Sequence, residues 1–348
     1  MRVLKRGLAV LGIVIIVFSI TSVYDTKNVN AQINGIRQNY IKIDVLLYNS
    51  NDKFISLVRQ NLEEIQKQNK GKVEFEFFDG KGNQAVQNET ISQIFNSRVD
   101  ILLVNLVDMQ AAKDVIDKFR NKNIPIIFFN REPLQVDAIK SYGKAYYVGT
   151  NAKEAGKLQG EIISDFWNKN REIIDKNRNG MLEYVVLKGQ HNNIESNERT
   201  DAAISAINNA GIKTKELAVK VANWDVDLGR ITADSLFLNF GNRIEAIISN
   251  NDAMAIGAIE AIQKYGFNKG DESKYIAVFG IDALPEAKEL IKQGVMAGTV
   301  IQDPLNMAQA IYTIGMNVFQ GNEPLYNTQY MFDDTKIAVR LPYKKYFG

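Results

Sequence analysis

Short apolar runs that stop abruptly at polar residues recur in the C-terminal half of this chain. Three such runs lie at 246–249, 276–280 and 298–301, and they lead into Asn250, Asp282 and Gln302. Short apolar runs flanked by helical patterns are typical of buried parallel strands. In an open α/β sheet, ligands bind beyond the carboxyl ends of such strands. Amides and carboxylates occupy these ends, with no nucleophile or phosphate loop among them, so the pattern predicts recognition of a neutral polyol without a reaction.

The composition excludes several classes of protein. The chain has 348 residues, a formal net charge of +2, no cysteine and one histidine, His191. Its length favours two domains, and the balanced charge, without a Lys/Arg stripe, argues against a nucleic-acid partner. The absence of cysteine excludes disulfides, thiolate metal sites, cysteine nucleophiles and a lipid-modified N-terminal cysteine. A serine triad would have to use His191, and no G-x-S-x-G motif accompanies it.

The first 31 residues have the pattern of a targeting segment. Three basic residues within the first six positions precede an apolar stretch at 7–20, which is short for a membrane span and typical of a signal peptide. Small residues at 29–31 predict cleavage before Gln32. An uncleaved N-terminal anchor is the alternative, because the cleavage site lies far from the apolar stretch. In either case we expect an exported protein, in the periplasm or at the outer face of the cytoplasmic membrane.

Strand and helix patterns alternate along the rest of the chain. Besides the three runs above, strands are predicted at 41–48, 73–78, 101–104, 124–129, 146–149, 184–187 and 217–219. This alternation predicts an α/β fold with two doubly wound, mostly parallel sheets, one in each domain.

No Pro/Gly/Ser-rich linker separates the two halves, which favours a hinge made of three chain crossings. We place these crossings near 149–150, 302–303 and 333–334. The N-terminal lobe would then comprise 41–149 plus 303–333, and the C-terminal lobe 150–302 plus 334–348. Such a hinge restricts motion to opening and closing around a central cleft.

A series of five motifs resembles the periplasmic glucose/galactose-binding proteins, the receptors that feed a sugar ABC transporter and, in some bacteria, a chemoreceptor. The motifs lie at 52–54, 128–133, 145–150, 250–255 and 279–287. The similarity runs from about Ile41 to the end of the chain. It implies a type 1 periplasmic-binding fold and a monomer that performs no reaction. It also implies that a monosaccharide, galactose or glucose, binds between the lobes and that a sugar ABC permease recognises the closed form.

The resemblance carries a sugar site over to this chain. Phe54 and Trp224 would clamp the apolar face of a pyranose ring, and the hydroxyl edge would meet Asp52, Asn130, Arg199, Asn251 and Asp282. Carboxylates, amides and guanidinium groups donate and accept at fixed angles, as hydroxyl recognition requires. Four of these residues also have a structural alternative. The aromatic residues could belong to the core, Asp52 could cap a helix and Asn251 could form a turn.

Three further positions of the predicted sugar site depart from the family pattern. Asn193 and Glu195 stand where the family has His and Asp, and Gln302 stands where it has Asn. Two of these changes add a methylene to a polar arm, and a displacement of about 1 Å matters in a preorganised site. The identity of the sugar and its affinity therefore stay open. His191 lies two positions from the expected histidine and is interpreted as a solvated loop residue.

Oxygen donors recur with the spacing of a calcium loop in the second half of the chain. Asp175, Asn177, Asn179 and Glu183 occupy positions 1, 3, 5 and 9, Gly180 occupies position 6, and Met181 would contribute its carbonyl at position 7. Position 12 falls on Val186 inside a predicted strand, which excludes a helix-loop-helix hand. By resemblance, Glu245 supplies the missing carboxylate. We therefore predict a structural Ca²⁺ site, with an ordinary Asn/Gly turn as the alternative.

Three other functions compete with that of a transport receptor. A DNA-binding regulator of this fold would carry a helix-turn-helix where this chain has its targeting segment. A membrane-tethered sugar sensor, which presents its ligand state to a histidine kinase or chemoreceptor, would need an uncleaved N-terminus. A hydrolase could use Asp52 and Asp282 as a carboxylate pair, but the resemblance offers it no support.

Overall fold

The computed structural model describes residues 40–348 and contains two six-stranded sheets. The first sheet has the order β11-β5-β4-β3-β1-β2, with β1 Ile41–Leu47, β2 Val73–Asp79, β3 Ile101–Val104, β4 Ile126–Phe129, β5 Ala145–Thr150 and β11 Ala338–Leu341. The second has the order β12-β10-β9-β8-β6-β7, with β6 Met181–Lys188, β7 Lys213–Val221, β8 Ala246–Ser249, β9 Ala277–Asp282, β10 Gly298–Ile301 and β12 Lys344–Tyr346. The β10–β12 pair is antiparallel, and the other strand pairs of both sheets are parallel.

Helices connect the parallel strands. They are α1 Lys53–Gln68, α2 Gln84–Phe95, α3 Ala112–Phe119, α4 Val136–Lys140, α5 Ala152–Ile174, α6 Ile194–Asn209, α7 Val226–Phe240, α8 Asp252–Gln263, α9 Pro285–Lys292 and α10 Pro304–Phe319. Within residues 40–348, no helix combines the length and apolarity needed to cross a membrane. The predicted targeting segment at 1–31 lies outside the described residues.

Both faces of each sheet are covered by helices, which explains the continuous apolar strands. On β1, Val45 and Leu47 pack with α1 and α10, whereas Leu46 packs with α2 and α3 on the other face. In the second sheet, Val185 packs with α7 and α8, and Val186 packs with α5. Strands buried on two faces lack polar alternation. The predicted α/β fold with two mostly parallel sheets is confirmed.

The chain passes between the two sheets three times. It leaves the first sheet after Thr150, and α5 then packs on the second sheet. It returns at 302–303, and α10 joins the first core. It crosses last at 342–343, between β11 and β12.

The third crossing therefore lies later than the sequence analysis placed it. β11 pairs in parallel with β5, and its residues Val339 and Leu341 are buried in the core of the first lobe. The position predicted for the crossing, Asp333-Asp334, is a turn: Asp333 N donates to Ala338 O at 2.8 Å and starts the approach to β11. The assignment of 334–341 to the C-terminal lobe was wrong, because these residues complete the first sheet.

Candidate functional site

A cavity lies between the lobes at the carboxyl ends of strands from both sheets. Its lining consists of Tyr48, Asp52, Phe54, Asn130, Arg131, Glu195, Arg199, Trp224, Asn251, Asp282 and Gln302. The space between these side chains is about 360 Å³, including the part open to solvent. The structure thus brings together nine of the ten residues predicted to contact a sugar.

Phe54 of the first lobe and Trp224 of the second, the two aromatic residues predicted to clamp a sugar, both line this cavity. Phe54 and Trp224 are buried, with 5% and 8% of their surface exposed, and each also packs in the core of its own lobe. Gly189 makes room for the indole, because a Cβ atom at this position would lie 2.0 Å from Trp224 Cζ2. The core and the cavity therefore share both aromatic residues, and their two predicted roles are compatible.

The polar side chains of the first lobe are fixed by helix capping and by neighbouring hydroxyls. Asp52 caps α1, since its Oδ1 accepts from Ile55 N at 3.0 Å, and its Oδ2 accepts from the Tyr48 hydroxyl at 2.5 Å. Burial raises the pKa of Asp52, and these hydrogen bonds oppose that shift. The Asn130 backbone carbonyl accepts from the Tyr147 hydroxyl at 2.7 Å, and its side-chain Oδ1 accepts from Asn105 Nδ2 at 3.3 Å. Both side chains are consequently preorganised toward the cavity.

The second lobe contributes a buried guanidinium group and two strand-end residues. Arg199 Nη1 donates to Asn250 O at 2.9 Å, and its Nη2 donates to Gln302 Oε1 at 3.0 Å. Asn251 caps α8 through Met254 N and donates from Nδ2 to Trp224 O at 3.1 Å, so it fixes the backbone that carries the indole.

Asp282 is buried, and its carboxyl group interacts electrostatically with the guanidinium group of Arg199. Burial raises its pKa well above the usual range, Asp252, Asp52 and Glu195 act in the same direction, and Arg199 opposes them. The φ angle of Asp282 is 123°, a backbone conformation that residues other than glycine rarely adopt. Asn130 and Trp224 also have positive φ angles, 59° and 67°. Backbone strain of this kind concentrates at ligand sites.

Several buried donors at the cavity have no acceptor among the described residues. They are Arg131 Nε, Arg199 Nε and Gln302 Nε2. The carboxylates of Asp52, Glu195 and Asp282 provide acceptors on the same lining. A ligand with many hydroxyl groups can donate to the carboxylates and accept from the unpaired donors, which would otherwise cost free energy when buried.

Two lining residues, Tyr48 and Arg131, were not predicted. Arg131 Nη2 donates to Gln190 Oε1 at 3.1 Å, which is a hydrogen bond between the lobes. Its guanidinium group also lies 4.6 Å from the centre of the Tyr48 ring. The signals were present in the sequence: Tyr48 follows the apolar run of β1, and Arg131 follows Asn130.

Asn193 is the predicted residue that the structure places outside the cavity lining. Its side chain caps α6, accepting from Ser196 N at 2.9 Å. Its Nδ2 lies 4.0 Å from Met109 Sδ in the other lobe. The side chain therefore acts as a helix cap and is not part of the cavity lining. His191 is exposed, as a loop residue would be.

In the predicted calcium loop, the chain turns so that two carboxylates accept hydrogen bonds from backbone amides. Asp175 accepts from Asn179 N and Gly180 N, each at 3.0 Å. Glu245 accepts from Lys176 N at 3.1 Å and Glu183 N at 2.9 Å.

Charges around the loop are crowded. Burial raises the pKa of Glu245 to about 7, and the Asp175 and Glu183 carboxylates act in the same direction. Glu183 Oε1 lies 2.8 Å from Lys215 Nζ. Across residues 40–348, no three His, Cys, Asp or Glu side chains are arranged as a metal-ion site. The loop therefore offers fitting donor types, while the arrangement of its carboxylates is not that of a formed site.

Two α/β lobes that close on one cavity define a class of bilobal ligand receptors. The chain belongs to the family of the periplasmic binding protein domain, whose model matches residues 43–323. This result confirms, at the level of the family, the resemblance found in the motifs.

The chain is similar to the D-galactose/methyl-galactoside binding periplasmic protein of Haemophilus influenzae. The two are 38% identical over 305 residues, which cover 87% of this chain and 88% of that protein.

Solved structures support the fold assignment. An ABC transporter solute binding protein from Bacillus halodurans with bound myo-inositol has a TM-score of 0.71 and 24% identity, covering 89% of this chain and 95% of its own. A periplasmic solute binding protein from Actinobacillus succinogenes with bound D-allose has a TM-score of 0.71 and 22% identity, covering 88% and 96%. The type 1 periplasmic-binding fold is therefore established for this chain.

Proposed function

We propose that this protein is an exported receptor that captures a hexose, galactose or glucose, and delivers it to the permease of a sugar ABC transporter. The cavity carries this proposal, because it combines an aromatic residue from each lobe with unpaired donors and buried carboxylates. The similarity to a galactoside-binding protein over 87% of the chain favours galactose. Service to a chemoreceptor would be a further use of the same closed form.

The proposed mechanism is a shift of population from open to closed lobes. A sugar that contacts residues of both lobes binds the closed form better than the open one, and this difference in affinity drives closure. Arg131, from the first lobe, donates to Gln190 of the second lobe, so closure also forms a direct hydrogen bond between the lobes. The permease would then recognise a surface that only the closed form presents.

Calorimetric titration of residues 32–348 with D-galactose and D-glucose, in the presence of calcium, tests this function. We expect micromolar or tighter binding of at least one of the two sugars. D-allose and myo-inositol serve as comparison ligands of different hydroxyl geometry. Absence of binding to either expected sugar would contradict the proposed ligand and point to Glu195 and Gln302 as the residues that changed the specificity.

The membrane-tethered sensor is the second candidate function, favoured by the distance between the apolar stretch at 7–20 and the predicted cleavage site. N-terminal sequencing of the exported protein distinguishes the two. A mature chain that starts at Gln32 supports a free receptor, and an intact Met1 supports a sensor held at the membrane.

We also propose a structural calcium ion at the 175–183 loop. Asp175, Asn177, Asn179, Glu183 and Glu245 would provide side-chain oxygens and Met181 its carbonyl, the donor types that Ca²⁺ prefers. The support is a group of buried carboxylates at the loop: burial raises the pKa of Glu245 to about 7, and the Asp175 and Glu183 carboxylates act in the same direction. Binding would require Glu183 to turn from Lys215. Such an ion would stabilise the second lobe without contact to the sugar.

A further inference from the structure

One buried polar side chain at each of the three crossings takes part in a single hydrogen-bonded cluster. Thr150, Gln302 and Tyr343 belong to the first, second and third crossings and are 6%, 2% and 5% exposed. The Tyr343 hydroxyl lies 2.7 Å from Thr150 Oγ1 and donates to Gln302 Oε1 at 3.3 Å. One hydroxyl therefore connects chain segments that are far apart in sequence.

The cluster extends to the candidate sugar site through Arg199. Arg199 Nη2 donates to the Tyr343 hydroxyl at 3.0 Å and to Gln302 Oε1, also at 3.0 Å. Arg199 lies on α6 in the second lobe and lines the cavity. The orientation of this guanidinium group consequently depends on two residues of the hinge.

Counting protons fixes the direction of these hydrogen bonds. A phenol carries one proton, and a guanidinium group only donates. If Tyr343 donates to Gln302 Oε1, then Thr150 must donate to Tyr343. Burial raises the pKa of Tyr343, so the hydroxyl keeps its proton at neutral pH.

This arrangement also determines what Gln302 presents to a ligand. Its Oε1 accepts from both Arg199 and Tyr343. Its Nε2 is left as a buried donor without an acceptor among the described residues. A ligand hydroxyl in the cavity can supply that acceptor.

We propose that Tyr343 is a positioning residue that couples the hinge to the sugar site. Its hydroxyl holds Arg199 and Gln302 in their ligand-binding orientation when the lobes are closed, and thereby favours the closed form. This inference rests on the proposed sugar-binding function. Loss of the hydroxyl shifts the free protein toward the open form, and the apparent Kd rises because a smaller fraction is competent to bind.

The experiment compares Tyr343→Phe with Tyr346→Phe. Tyr346 lies three residues further on, in β12, where Lys288 approaches its ring and no hydrogen bond to its hydroxyl is described. The chain has no cysteine, so Gln110→Cys and Asn192→Cys give two unique labelling positions. Both are exposed, and they adjoin Met109 and Asn193, which meet across the cleft. Spin labels at these positions report the distance between the lobes, with and without D-galactose.

We expect Tyr343→Phe to increase the long-distance population of the ligand-free protein and to raise the Kd for galactose about tenfold, as the loss of hydrogen bonds to a charged group implies. Tyr346→Phe should leave both quantities at their wild-type values. Thr150→Val, which breaks the cluster from another crossing, should act in the same direction as Tyr343→Phe.

Two results would overturn the proposal. One is an unchanged Kd and distance distribution in Tyr343→Phe. The other is a raised Kd with an unchanged ligand-free distribution, since this would confine the effect to Arg199. If the wild-type protein binds none of the sugars tested, the proposed function fails. The ligand-free distributions would still decide whether Tyr343 controls the hinge.

Discussion

The cavity between the lobes and the 175–183 loop both collect buried carboxylates, but they satisfy them differently. In the loop, Asp175 and Glu245 accept hydrogen bonds from backbone amides. In the cavity, the charge of Arg199 is the main influence that stabilises the ionised form of Asp282. Several donors there have no acceptor within the described chain. The loop is thus largely satisfied by its own fold, whereas the cavity needs a ligand to complete its hydrogen bonds.

Replacing Trp224 at the cavity should give the largest effect and tests the difference between the cavity and the 175–183 loop. Trp224→Ala should weaken galactose binding by roughly a hundredfold or more, because large buried aromatic residues dominate binding energy. The calcium response of the loop should not change. The second tryptophan, Trp167, lies in the core of the second lobe. Trp167→Phe should keep the wild-type affinity, and it leaves Trp224 as the one tryptophan whose fluorescence reports the sugar.

The charge of Asp282 should lower the stability of the folded protein and strengthen galactose binding. Because burial raises the pKa of Asp282, the folded chain holds this proton more tightly than the unfolded chain. The ionised group therefore lowers stability as the pH rises through its usual range toward neutrality. We expect Asp282→Asn to weaken galactose binding about tenfold, since a charge-assisted hydrogen bond is lost.

The same substitution should raise the ligand-free Tm at pH 7, and this gain should shrink as the pH is lowered. Asp201→Asn, at an exposed position of α6, is the control and should change neither quantity. A ligand-free Tm of Asp282→Asn below that of the wild type at pH 7 would contradict this account of the cavity.

Calcium should act on the loop and not on the cavity. At a concentration about a hundredfold above its Kd, calcium should raise the Tm by roughly 5 °C relative to chelator. Glu245→Gln should abolish most of this rise, and Glu216→Gln, an exposed position in β7, should keep it. Equal melting temperatures of the wild type in chelator and in millimolar calcium would remove the calcium proposal.

The smallest effects distinguish two asparagines that both cap helices. Asn251 caps α8 and lines the cavity, whereas Asn193 caps α6 outside the lining. Serine can replace asparagine as a cap at little cost. Asn251→Ser should weaken galactose binding about fivefold, the cost of roughly one net hydrogen bond. Asn193→Ser should change the Kd less than about twofold. A larger loss of affinity in this variant would show that Asn193 belongs to the sugar site.

Positions at strand ends were predictable because their signal is local. Asp52, Asn251 and Asp282 each follow an apolar run, and the carboxyl ends of parallel strands meet at one edge of a sheet. The same rule extends to Tyr48, which directly follows the apolar run of β1.

The hinge was less predictable because its contacts join distant segments. Tyr343 meets Thr150 across 193 positions of the chain, and no spacing rule connects them. The third crossing was misplaced at 333–334, where the chain forms a turn before the buried strand β11. Contacts with large sequence separation depend on the packing of the whole fold, which short motifs do not encode.

The late return of the chain to the first sheet affects how the protein folds. The first lobe begins at β1, yet its core includes α10 and β11, which are synthesised after the whole of β10. The nascent first lobe therefore cannot complete its core until residue 341 has emerged. We expect the N-terminal half alone to stay unfolded or loosely structured. The complete first lobe has a high contact order, which slows its folding. For a chain with an export signal pattern, this delay would keep it unfolded during translocation.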